Sequence, residues 1–166
     1  MLVGFMGAGK TSVGRALAQR LGWTFDDLDD HIEAREHCKI EEIFQDSGEA
    51  GFRRAESAAL RDLLSEPAPV PRVLALGGGA FVQTENAKLL EEAGVSTVFL
   101  DGSPAELQRR CKHEARARPL QGDGKNFQEL YELRRASYLK ATWRVDTNNK
   151  DVETVTAEVA CIFGLK

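Results

Sequence analysis

The sequence predicts an α/β fold of three layers, with helices on both faces of a five-stranded parallel sheet. Three observations predict it. Residues 4 to 11, Gly-Phe-Met-Gly-Ala-Gly-Lys-Thr, form a complete G-x-x-x-x-G-K-[ST] phosphate loop between an apolar run and a helical repeat. Short β-like runs alternate with helical stretches along the whole chain, which implies parallel strands joined by helical crossovers. Chemistry-bearing residues follow the ends of those runs, where open α/β sheets bind ligands.

The first β-like run is Met1–Phe5. In the loop that follows, backbone N–H groups of Gly7, Ala8, Gly9 and Ser12 suit a polyphosphate, Lys10 suits its terminal phosphates, and the Thr11 hydroxyl suits Mg²⁺. Val13, Leu17 and Leu21 then recur at helical spacing up to the stop at Gly22. The second run, Thr24–Leu28, leads into Asp26-Asp27-Leu28-Asp29-Asp30. Strand alternation puts Asp27 and Asp29 on one side, as a pair able to meet Mg²⁺ and a substrate hydroxyl. An acidic helix cap is the competing reading, and it suits Asp29 or Asp30 better than Asp27.

Helices are expected near Asp29–Glu36, Ile40–Asp46 and Glu49–Leu64. The last presents Phe52, Ala55, Ala59 and Leu63 on one apolar face, with Arg53 and Arg54 near its start. The third run, Arg72–Leu76, ends in Gly77-Gly78-Gly79-Ala80, a stretch that lets main chain approach a ligand closely. A helix near Glu85–Ala93, a run at Ser96–Leu100 and a helix near Pro104–Cys111 follow. Residues 112–125 are basic, contain glycine and lack apolar periodicity, as expected of a lid over phosphates. Helices near Phe127–Ala141 and Val152–Ile162 flank the last run, Trp143–Asp146.

Length and composition fit one domain over residues 1–166. A net charge of −4 argues against a general nucleic-acid binder, and no apolar run reaches the roughly 18 residues of a membrane span. Three scattered cysteines suit reduced thiols, and a chain opening on the phosphate loop leaves no room for a secretory leader, so a cytoplasmic location is expected. His37-Cys38 has no second pair at metal-ligand spacing. Val98-Phe99-Leu100-Asp101 has the look of a metal-binding strand end, but reads better as a buried strand before a Ser103 cap. Asn149-Lys150-Asp151 lacks the fourth residue of a guanine-reading motif, since Val152 stands there.

Taken together, these pieces resemble the shikimate kinase family. The likeness is carried by the phosphate loop, Phe25-Asp26-Asp27-Leu28-Asp29 with Ile32-Glu33, Gly48-Glu49, Phe52-Arg53-Arg54, Leu76-Gly77-Gly78-Gly79-Ala80, Arg118-Pro119-Leu120, and Arg134 four before Tyr138. The resemblance implies a phosphate-loop NTPase fold with strand order 2-3-1-4-5 and ATP-dependent phosphorylation of the 3-hydroxyl of shikimate. It further implies that Lys10 holds phosphate, that Thr11 binds Mg²⁺ with Asp27 assisting through water, and that Asp29 holds the reacting hydroxyl. Arg53 and Arg134 would grip the acid's carboxylate, Gly77, Gly78 and Gly79 would line its ring, and Arg118 would neutralise the transferring group. Arg110 would lie near adenine, with Lys150 a further nucleotide contact. Arg134 and Arg135 are adjacent, so a one-residue shift would exchange which faces inward. A monomer is expected. The alternatives are a kinase of another sugar acid on this scaffold, and a non-catalytic nucleotide-binding relative.

Overall fold

The computed structural model describes residues 1–111 and 124–165, the first two of the second stretch by backbone alone. In chain order it comprises β1 (Leu2–Val3), α1 (Lys10–Leu21), β2 (Thr24–Asp27), α2 (Leu28–Glu36), α3 (Ile40–Ser65), β3 (Arg72–Ala75), a 3-10 turn (Ala80–Val82), α4 (Thr84–Glu92), β4 (Val98–Asp101), α5 (Pro104–Cys111), α6 (Gly124–Tyr138), β5 (Trp143–Asp146) and α7 (Val152–Ile162). The strands form one sheet in the order β2-β3-β1-β4-β5, as the resemblance implies. Every neighbouring pair is parallel, with Leu2 opposite both Ala75 and Val98.

Why β1 lies at the centre follows from its residues. Leu2 and Val3 are buried and apolar on both faces, whereas β2 and β5, at the edges, keep partly exposed side chains. With β3 on one side of β1 and β4 on the other, strand order reverses at its C-terminal end. A crevice opens at that switch point, and the phosphate loop fills its floor. On the helical layers, α1 packs against α7, α2 against α3, and α5 against α6.

Two helices expected as separate pieces are one long element bent at Gly48, whose φ of 64° and ψ of −171° interrupt α3. The bend delivers Arg53 and Glu56 from the second half of the helix to the mouth of the crevice. The helix expected from Phe127 begins three residues earlier, at Gly124. The 3-10 turn after the glycine run was not expected. It is closed by Ala80 N–H donating to Gly77 O at 3.1 Å and by Asn86 donating to Ala80 O at 3.0 Å.

Candidate active site

Steric crowding and left-handed backbone explain the phosphate loop's glycines. Gly7 has φ of 77°, and a methyl group there would stand 2.5 Å from Leu107 O and 2.8 Å from Cys111 Sγ. Gly9, at φ of 84°, turns the chain into α1, whose first N–H groups face the crevice. Lys10 is buried and donates to the carbonyls of Gly4 and Phe5, both at 2.9 Å, so its ammonium lies inside the curl of the loop.

Thr11 donates to Asp27 Oδ2 at 2.8 Å, while Asp27 Oδ1 accepts the Asp29 N–H at 3.1 Å. Strand alternation does not set this pair. The strand ends at Asp27, which is itself the cap of α2 with β-region φ and ψ. Asp29 reaches the crevice because it sits in the first helical turn, so the cap and the Thr11 partner are one residue. A hydroxyl and a carboxylate beside a phosphate site suit Mg²⁺, which takes few protein oxygens and completes its shell with water and phosphate. Among the described residues no cluster of three or more His, Cys, Asp or Glu forms a dedicated metal cage.

A cleft of about 740 Å³ runs along the loop, bordered by Gly7, Ala8, Gly9, Ser12, Arg110 and Lys150. Arg110 is fixed there by Glu106 at 2.9 Å and by donating to Thr147 O at 2.8 Å. Hydrogen bonds from Arg109 first, and then Arg110, hold the Glu106 carboxyl down at about 2. Lys150 pairs with Glu158 at 2.8 Å. Both nucleotide-side basic residues named from the sequence therefore line one cleft. Glu106, which orients the first of them, was missed; its i,i+4 spacing to Arg110 was the available signal.

Across the loop lies a smaller cavity of about 80 Å³, lined by Asp29, Arg53, Glu56, Gly77, Gly78, Gly79 and Arg134, with Met6, Ile40, Phe44 and Phe52 as its apolar side. The glycine run makes room for charge. A methyl group on Gly77 would stand 2.9 Å from Asp29 Oδ1, and one on Gly79 would stand 2.4 Å from both terminal nitrogens of Arg53. Arg53 donates to Glu56 at 2.8 Å and to Glu49 at 3.2 Å, and its guanidinium lies 5.1 Å from the Phe52 ring centre.

Glu56 was not anticipated. It is 1% exposed, and its second oxygen, Oε1, has no hydrogen-bond partner among the described residues. Burial pushes its carboxyl up to about 7 against the opposing pull of Arg53. A glutamate at 56, inside the apolar stripe of Phe52, Ala59 and Leu63, was the sequence signal for it.

Asp101 settles which of the adjacent arginines turns inward. This buried carboxylate accepts from Tyr131 at 3.2 Å, Arg135 at 3.1 Å and Arg144 at 2.8 Å. Asp101 thus anchors α6 and β5, and with Arg135 occupied there Arg134 faces the small cavity. Ser103 Oγ accepts the Glu106 N–H at 3.4 Å, as the cap reading expected. Arg118 and residues 112–123 of the lid expected at 112–125 lie outside the described residues.

A loop that cradles phosphate stands between a roomy cleft and a small pocket walled by two guanidiniums and two carboxylates. That arrangement carries a terminal phosphoryl group from a nucleotide to a compact acidic acceptor, which defines a phosphate-loop kinase. Known proteins narrow the class. Residues 6–162 match the family model described as shikimate kinase. The chain is 41% identical to a shikimate kinase of Geobacter metallireducens over 96% of its own length and 88% of that protein's. It is 43% identical to one of Thiobacillus denitrificans, over 93% of its own length and 84% of the relative's. The solved structure of shikimate kinase from Acinetobacter baumannii in complex with shikimate superposes with a TM-score of 0.87 at 36% identity, covering 98% of this chain and 91% of that one. The chain belongs to the shikimate kinase family.

Proposed function

We propose that this chain transfers the γ-phosphoryl group of ATP to the 3-hydroxyl of shikimate, with the nucleotide in the larger cleft and the acid in the smaller cavity. The observation that carries the reading is the pair Arg53 and Arg134 facing Asp29 in one pocket beside the phosphate loop. Guanidiniums suit a carboxylate, and a carboxylate suits the acceptor's hydroxyls.

Phosphoryl transfer needs alignment and charge neutralisation more than covalent help. Backbone N–H groups of Gly7, Ala8, Gly9 and Ser12 hold the phosphates, and Lys10 exchanges its two carbonyl partners for phosphate oxygens. Arg110 and Lys150 border the nucleoside end. Thr11 and Asp27 would hold Mg²⁺, which supplies charge neutralisation at the phosphates when bound. In the small pocket, Arg53 and Arg134 grip the carboxylate, and Gly77, Gly78 and Gly79 lie against the ring. Asp29 accepts a hydrogen bond from the 3-hydroxyl and takes its proton as the oxygen bonds to phosphorus. The bond from phosphorus to the β-phosphate bridging oxygen breaks, and ADP leaves. Arg118, on the strength of its Arg-Pro-Leu motif, neutralises the moving group in a single-domain enzyme. In this reading the enzyme acts as a monomer. Among the described residues no helix is long and apolar enough to cross a membrane. The reading places the enzyme in the cytoplasm.

Coupled measurement of ADP release with and without shikimate tests the reading. Turnover that requires shikimate is expected, and is expected to vanish in Asp29→Asn while ATP binding persists. Acceptor-independent hydrolysis alone, turnover only on a different sugar acid, or full activity in Asp29→Asn would overturn it.

A further inference from the structure

We propose that Phe5 is a positioning residue for the acid pocket, its ring face fixing where the Arg134 guanidinium sits. This rests on the reading of Arg134 as a carboxylate grip. Phe5 belongs to the phosphate loop by sequence, yet it is fully buried and lines neither cavity. Its ring packs edge-to-face with Phe127 at 5.0 Å and 88°, and with Tyr131 at 5.5 Å and 89°. The Arg134 guanidinium lies 5.8 Å from the same ring centre. Residues 127, 131 and 134 share one face of α6, and that face meets the loop at the Phe5 side chain.

Behind Arg134 stands bare main chain. A methyl group on Gly78 would lie 3.6 Å from an Arg134 terminal nitrogen, and Tyr138, one helical turn on, donates its hydroxyl to Gly78 O. Arg134 is therefore held between a ring and a glycine and hydrogen-bonded to the Tyr138 side chain, at only 7% exposure. A desolvated guanidinium is weakly hydrated and is attracted to the negative face of an aromatic ring. Phe52 stands in the same relation to Arg53. Leucine would fill much of the space Phe5 occupies but would present no such face.

The test is steady-state kinetics of the full chain carrying Phe5→Leu, Arg134→Lys, or both, with Phe127→Leu as a volume control in the same cluster. Phe5→Leu is expected to raise KM for shikimate about tenfold, with KM for ATP and kcat changed by less than about twofold. In the Arg134→Lys background the same change should alter that KM by less than about twofold, because the two act through one contact. Phe127→Leu should leave it unchanged. Fully additive effects, or an equal rise of KM for both substrates, would overturn the proposal. If Phe5→Leu does not fold, Phe5→Met carries the same expectations. Should Arg134→Lys itself leave KM for shikimate unchanged, the carboxylate grip fails; should only Phe5→Leu do so, this inference fails alone.

Discussion

Thr11 Oγ1 and Asp27 Oδ2 lie 2.8 Å apart, joining the first helix to the end of the second strand. The same carboxylate caps α2 through the Asp29 N–H. One residue thus fixes the helix that carries Asp29 and poses an oxygen beside the phosphate loop.

Those two duties separate on substitution. Asparagine caps helices as well as aspartate, and with its oxygen on the Asp29 N–H its amide nitrogen takes the place of Oδ2 and donates to the Thr11 hydroxyl, but it brings no charge. Asp27→Asn should melt within about 2 °C of the unmodified protein, while its rate at limiting Mg²⁺ falls at least about tenfold. Asp27→Ala should also lose about 1 kcal/mol of stability. Thermal melts and Mg²⁺ titration of the initial rate measure both, and a rate in Asp27→Asn with unaltered Mg²⁺ dependence would count against the metal role.

Gly79 makes room for Arg53. Alanine there would put a methyl group 2.4 Å from its guanidinium nitrogens, and since the far end of that side chain can move, the fold should survive. The displaced arginine would leave Glu56, raising KM for shikimate about tenfold or more with KM for ATP unchanged. Circular dichroism and steady-state kinetics distinguish this from general damage.

Gly7 is a different case, because the obstructing atom is the main-chain oxygen of Leu107 and φ is 77°. Gly7→Ala should cost about 2–4 kcal/mol of stability, read from urea unfolding, and should weaken ATP binding. An alanine variant as stable as the parent would show that the loop yields more readily than its geometry implies.

Glu56 gives a prediction about pH. Its folded carboxyl sits near 7 against an ordinary value of 4.5. Between those values the folded protein holds the proton and the unfolded chain has lost it. The contribution of Glu56 to stability is thus whole below about pH 4.5 and is lost as pH rises towards 7. Glu56→Gln, which keeps a hydrogen-bonding side chain without a titrating group, should show a flatter decline of urea midpoint from pH 5 to pH 7. Identical slopes would remove Glu56 as the source.

How much of the site the sequence showed depended on the reach of each signal. The phosphate loop was plain because its spacing, its preceding apolar run and the Val13–Leu17–Leu21 repeat are all local. The break at Gly48 was visible as a gap between two helical stretches, although the chain continues as one bent element. Alternation failed at Asp27 because it holds only while the backbone stays extended, and the helix begins at Leu28.

The amino-acid order alone determined where strands and helices alternate, where phosphate is cradled, and which residue types gather at strand ends, since each depends on neighbours a few positions away. Tertiary structure decided the pairings. Glu56 meets Arg53 in a desolvated pocket, Asp101 claims Arg135 and so turns Arg134 inward, and Phe5 seats α6 on the phosphate loop. Those choices are made where β1, β3 and β4 bring distant segments to one crevice, and burial there rewards only the arrangement in which each charge has a partner.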